Sequence, residues 1–233
     1  AYFNLGTLIK PQGKVEEAIG YLYKAIEFKP DYAESYNQLG SALTEKGRFE
    51  EAIACYQKGL KFFPTSSQFF CNIANTLTKQ NKFDEAIAQF QKAIELQSDF
   101  SEAYCNLGLV IVRKYMQEGQ ISTDKLNSAL DCFQKAIESK PDLLQIHLNI
   151  AAFITSATSQ RWNYKMFREL ADKFVKFGGE LGKIIAEVAY INIYVRSGLN
   201  QIAKDKFVEI EPEIYNRLEK LSQEEIGLIY TQI

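Results

Sequence analysis

The chain has 233 residues, 46% of them apolar and 24% charged, the balance of a soluble folded protein. Its formal net charge of −2 leaves no electrostatic footprint for nucleic acid or an anionic membrane surface. No apolar run approaches the roughly 20 residues that a bilayer span needs, and the opening AYFNLGTLIK lacks the basic, apolar and cleavage-site succession of a secretory leader.

In chain order, Tyr2, Leu5 and Gly6 begin a pattern with helical spacing, Gly13 marks a turn, and Ala18, Leu22 and Ala25 continue on a second helix ended by Pro30. The pattern then returns. Tyr36, Leu39, Gly40 and Leu43 share one helix face, Gly47 turns the chain, and Ala52, Tyr56, Gly59 and Leu60 share the face of a partner helix that Pro64 ends. Phe70, Ile73 and Ala74 open a third unit, Asn81 takes its turn slot, and Ala86, Phe90 and Ala93 follow, with Ser98 in the proline slot. The anchors recur every 34 residues, the signature of stacked supersecondary units. Small residues at Gly40, Ala52 and Gly59 predict close helix approach, and the aromatic stripe is expected to form the repeat core.

A fourth unit opens with Tyr104, Leu107, Gly108 and Ile111, but its second-helix anchors are Ala129, Phe133, Ala136 and Pro141. Nine residues have been inserted around Arg113–Asp124, read as a longer first helix followed by a polar loop through Gly119. Beyond Pro141 the pattern decays. His147, Ile150, Ala151 and Ile154 hold first-helix slots of a fifth unit, and residues 163–177 read as an amphipathic helix stopped by Gly178 and Gly179. Gly198, Ala203 and Phe207 keep the spacing of a degenerate sixth unit, and Ser222 with Glu225 has capping-box spacing. The chain begins without Met inside one helical pattern and ends at Ile233 inside another, so it is expected to be a segment of a longer polypeptide.

These slots closely resemble the tetratricopeptide repeat over residues 1–142, with four units there and divergent helical units over 143–233. The resemblance implies an all-α solenoid: helix-turn-helix repeats wound into a right-handed superhelix with a concave groove and a degenerate helical C-terminal end.

The sequence offers little for catalysis. His147 occupies the aromatic core slot of Tyr36 and Tyr104, and no Ser-His-Asp or Cys-His arrangement forms around it. Cys71 and Cys105 share one repeat slot, and Cys55 and Cys132 another, so all four read as reduced thiols without ligand spacing. Gly178-Gly179 lacks the context of a phosphate loop. Glu16-Glu17, Glu50-Glu51 and Asp84-Glu85 recur near helix starts, a placement that suits the helix dipole. The expectation is a non-enzymatic segment with no metal and no cofactor, in the cytoplasm.

The opposite face of the first helices carries more information. One slot there holds Asn4, Gln38, Asn72, Asn106 and Asn149, with Asn75 one turn beyond Asn72. A carboxamide has a donor and an acceptor, the complement of a peptide unit, so a row of them suits an extended peptide held through its backbone. In its repeats and asparagine row the chain is similar to the superhelical arm of O-linked N-acetylglucosamine transferases. That resemblance implies a substrate-recruiting arm with its glycosyltransferase domain beyond Ile233. The carboxylate clamp of chaperone-adaptor repeats fits less well: Asn75 and Asn106 supply its amides, but its basic slots hold Cys71, Cys105, Gln145 and Asn149. The expected partner is a protein or peptide in the concave groove, with self-association as an alternative.

Overall fold

The computed structural model describes residues 1–119 and 123–140. The fifth and sixth units, with His147, Asn149 and the capping box at Ser222, lie outside the described residues. The chain divides into two compact units, residues 1–110 and 111–233.

Every described element is helical: α1 (Tyr2–Ile9, extended by a 3-10 turn at Lys10–Gln12), α2 (Val15–Phe28), α3 (Ala33–Glu45), α4 (Phe49–Phe62), α5 (Ser67–Lys79), α6 (Phe83–Leu96), α7 (Ser101–Glu118) and α8 (Thr123–Ser139). In the first compact unit consecutive helices pack from α1 to α6, and the first helices α3 and α5 also touch. This is the stacked array of helix pairs that the 34-residue period predicts.

The turns inside each pair need a left-handed residue. Gly13, Gly47 and Gly119 have φ of 80°, 75° and 65°, and Asn81 has 59°. Nothing lies within 4 Å of a side chain added at Gly47, so backbone conformation alone favours glycine there. Beyond the turn, Arg48 N–H donates to the Leu43 carbonyl at 2.9 Å and Lys82 N–H to Leu77 at 3.0 Å, closing both first helices in the same way. The second helices then start with acidic first turns, Glu16-Glu17, Glu50-Glu51 and Asp84-Glu85. These carboxylates stand where the helix dipole favours them. Ser66 caps α5 by accepting from Phe69 N–H at 3.4 Å.

Close approach depends on missing side chains. A Cβ at Gly40 would collide with the Tyr56 ring, and one at Gly59 would sit 2.7 Å from Cζ of Phe69. Leu22, Leu39, Leu43, Phe69 and Phe90 are fully buried around these contacts. Phe70, expected in the core by its alignment with Tyr36, is only half-buried; the core ring is its neighbour Phe69. The register explains the exchange. Ala25 and Ala93 hold the Gly59 slot, while Ser35 and Ala103 hold the Phe69 slot. Among the described junctions only this one has a glycine that makes room for a large ring, and that ring also meets Tyr36, Tyr56 and Phe63 at centroid distances of 6.4, 6.2 and 6.3 Å.

The first helix of the fourth unit is longer than those before it. α7 has 18 residues against 13 in α3 and α5, and it stops at the left-handed Gly119. Lys125 of α8 lies over the Tyr115 ring at 4.7 Å, a cation–π contact across the inserted segment.

Three outcomes follow from this packing. Gly40→Leu overpacks the pair and lowers stability by about 1–3 kcal/mol, whereas Glu45→Leu costs roughly 0.5 kcal/mol or less. Glu45 has only a 3.6 Å ion pair to Lys10 and a side chain 53% exposed, so equal shifts in urea midpoint would contradict this assignment of faces. Ser35 is fully buried with no partner for its hydroxyl, and Ala103 holds the same slot of the fourth unit. Ser35→Ala therefore raises the melting temperature, by an amount equivalent to about 1 kcal/mol or more. Finally, burial pushes the Cys55 thiol up to about 12. Its neutral form is favoured in the fold, so that stabilisation is complete below pH about 9 and is lost as pH rises toward the folded value. The stability of wild type relative to Cys55→Ala should fall by up to about 1.4 kcal/mol per pH unit above pH about 9; urea titrations at stepped pH would show a parallel pair of curves if the thiol were free to ionise.

Candidate functional site

The slots opposite the apolar stripe are open to solvent in part. On α3 these are Glu34, Gln38, Ser41 and Glu45, and on α5 they are Gln68, Asn72, Asn75 and Lys79, each half-buried or exposed. Because α3 and α5 lie against one another, polar side chains of successive units come within bonding distance.

The amides are tied together, but not within their own slot. Asn72 Nδ2 donates to Asn37 Oδ1 at 3.0 Å, while its Oδ1 accepts from Gln68 Nε2 at 3.2 Å. Asn106 Nδ2 donates to Asn75 Oδ1 at 3.1 Å, and Asn75 Nδ2 reaches Cys71 Sγ at 3.9 Å. Asn72 and Asn106 thus each donate to an amide of the preceding unit, whereas Asn75 accepts from the following one. Asn4, at the exposed start of the row, and the half-buried Gln38 make no side-chain amide bond among the described residues. Asn149 lies outside the described residues.

These bonds leave capacity unused. A carboxamide has two N–H donors and two acceptor lone pairs, and Asn72 commits one of each. What remains is one donor and one acceptor, the complement of a peptide unit. Asn37 and Gln68, which orient the predicted residues, escape a strict search for one repeating slot. Their signal was the excess of amides flanking the row.

Other polar links join the units at the ends of this face. Lys10 Nζ donates to Ser41 Oγ at 2.9 Å, and the Thr44 and Thr76 hydroxyls lie 3.0 Å apart. Cys71 and Cys105, in the slots a carboxylate clamp would fill with cations, are 0% and 1% exposed. The slot is closed by packing as well as uncharged. Burial pushes the Cys71 thiol far up, which favours an inert neutral side chain. Among the described residues no group of three or more His, Cys, Asp or Glu is placed to hold a metal, and no helix is long and apolar enough to cross a membrane.

Comparison with known proteins agrees with this architecture. Tetratricopeptide repeat sequence patterns match residues 1–32, 33–66, 55–88 and 74–114. Among solved structures, PilF of Pseudomonas aeruginosa is similar with a TM-score of 0.58 at 20% identity, covering 99% of this chain and 96% of its own. MamA from Desulfovibrio magneticus RS-1 is similar with a TM-score of 0.54 at 22% identity, covering 76% of this chain and 90% of its own. Another MamA structure has a TM-score of 0.51 at 23% identity, covering 73% of this chain and 95% of its own. At these identities the likeness is one of fold. No curated protein matches the chain in sequence. The period, the left-handed turns and the paired helices agree with the tetratricopeptide repeat patterns that match residues 1–114.

Proposed function

We propose that this chain is a protein-interaction scaffold that holds an extended peptide or protein segment along the amide-bearing face of its first helices, in a concave groove, and performs no chemistry of its own. The observation that carries this reading is the state of the amides. Asn72, Asn75 and Asn106 are oriented by bonds between units, yet they retain donors and acceptors for a backbone. Preorientation reduces the side-chain entropy lost on binding. A backbone-directed grip also tolerates varied side chains, which suits a scaffold. Tetratricopeptide repeats generally serve as protein-interaction scaffolds.

A narrower form of the same reading is a substrate-recruiting arm of an O-linked N-acetylglucosamine transferase-like enzyme. It shares the asparagine row, and Asn149 continues that row in sequence. A sugar-nucleotide domain in the same polypeptide would support it. Self-association is the other use of such a face, and light scattering across concentration separates it from capture of a different partner.

Binding of an extended peptide library provides the test. Asn4→Ala with Gln38→Ala removes amides that make no internal bond, so affinity should fall while the melting temperature holds. Asn72→Ala with Asn106→Ala should weaken binding by about 1–3 kcal/mol if each supplies one backbone bond, and should also destabilise the fold modestly by removing bonds between units. Added salt should matter little, since the grip is not ionic. Unchanged affinity in both double variants, with intact helicity by circular dichroism, would reduce the amides to links between units.

A further inference from the structure

The second helices form a separate surface. Between α4 and α6, over the outer side of α5, lies an open groove of about 570 Å³. Phe70, Ile73 and Leu77 form its floor. Ile53, Ala54 and Leu60 line it from α4, and Ala88 from α6. Its volume falls in the range of about 300–1,000 Å³ common to ligand sites.

The repeat supplies an internal comparison, because the preceding junction, between α2 and α4, presents the same slots. There Arg48 makes three bonds: Nε to Glu51 at 2.7 Å, Nη2 to Glu51 at 2.8 Å and Nη1 to Glu16 at 3.0 Å. Lys46 adds a 4.0 Å contact to Glu16. Tyr23 stands beside this cluster, its phenol raised first by burial and then by the charge of Glu51. An aromatic ring and a guanidinium, both from the chain itself, thus occupy this junction.

One period later the same slots line the groove with the ring and the guanidinium replaced. Gln57 stands in the Tyr23 slot, and Lys82 in the Arg48 slot. Lys82 makes no ion pair among the described residues. Glu50 and Glu85, in the slots of Glu16 and Glu51, also line the groove. Glu85 has no partner among the described residues, and Glu50 accepts only the Gln80 amide, at 2.7 Å. The Gln80 carbonyl oxygen is buried without a hydrogen-bond partner. A buried acceptor of this kind is unfavourable until a donor reaches it.

We propose that this groove receives from another polypeptide what the preceding junction receives from its own chain: an aromatic side chain next to an arginine. The ring lies on Phe70 and Ile73, and the guanidinium bridges the Glu50 and Glu85 carboxylates. A further N–H of the incoming segment meets the Gln80 carbonyl. Planar, bidentate pairing distinguishes arginine from lysine at such a site. This surface is separate from the amide face, so either can fail without the other.

The probe is a fluorescein-labelled peptide with arginine beside tyrosine between glycine-serine flanks, followed by fluorescence anisotropy with the full chain. Two matched peptides carry citrulline for the arginine or alanine for the tyrosine. The expected result is affinity at least about tenfold higher for the arginine-tyrosine peptide than for either control. Gln57→Tyr with Lys82→Arg rebuilds the closed junction and should reduce binding by about tenfold or more, with helicity unchanged. Glu85→Gln alters an exposed carboxylate and should weaken the arginine peptide without weakening the citrulline peptide. It carries the test alone if the closing variant does not fold. Asn4→Ala with Gln38→Ala should leave this binding intact. Equal affinity for the citrulline peptide, full binding by the folded closing variant, or no saturable binding by wild type up to about 1 mM would each overturn the proposal.

Discussion

The array depends on aromatic rings set against residues that lack a side chain. Tyr56 occupies the space over Gly40, and Phe69 the space over Gly59, so two helices approach more closely than any Cβ would allow. Interiors are packed like organic crystals, and a methyl group forced into such a contact displaces the ring. A left-handed residue, Gly47 between α3 and α4 and Asn81 between α5 and α6, stands at the turn inside each of these pairs. The first helices α3 and α5 lie close enough for their amides to bond.

Apolar and polar contacts have separate tasks here. The rings and leucines close each pair and join it to the next, whereas most polar bonds between units are made by exposed or half-buried side chains. Arg48 with Glu16, Gln80 with Glu50, and Ser67 with Gln97 at 2.8 Å all cross from one unit to its neighbour. Exposed ion pairs contribute only about 0–1 kcal/mol each. They set the register of successive units more than they hold the units together. The acidic first turns do two things at once: they stand at favourable helix ends, and Glu16 and Glu50 each accept a bond from the following unit.

Most of the fold was legible because a repeat samples one structural slot several times. Gly13, Gly47 and Asn81 share a position, and all three have positive φ. The nine-residue insertion was placed by the slip between Ala86 and Ala129, and α7 is longer at that place. Phe69 escaped because the same logic favoured Phe70, the residue aligned with Tyr36. The core is chosen by complementarity across the contact, and Gly59 makes room for a ring that alanine in the neighbouring units would exclude. The amide row was legible as a row, but its bonds were not. Asn37 and Asn72 are 35 residues apart, and Asn75 and Asn106 are 31 apart, so a strict 34-residue comparison passes over both. Side-by-side helices join offset slots, and the offset comes from packing rather than period.

A repeat array also permits one junction to change without altering the next. Its stability is approximately a sum of unit terms and nearest-neighbour terms. The ring and guanidinium at Tyr23 and Arg48 sit on an exposed surface, where their loss one period later costs little stability. The floor beneath is different. Leu39 and Leu43 are 1% and 0% exposed, while Ile73 and Leu77, in the same slots, are each 5% exposed. The apolar contacts that hold the pairs together therefore persist through both junctions. What changes is the outer layer, from a salt-linked cap of Arg48, Glu16 and Glu51 to Glu50 and Glu85 without an arginine and a Gln80 side-chain carbonyl without a donor. In an array whose cohesion lies in buried rings, this outer layer can diverge toward recognition while the fold beneath it stays the same.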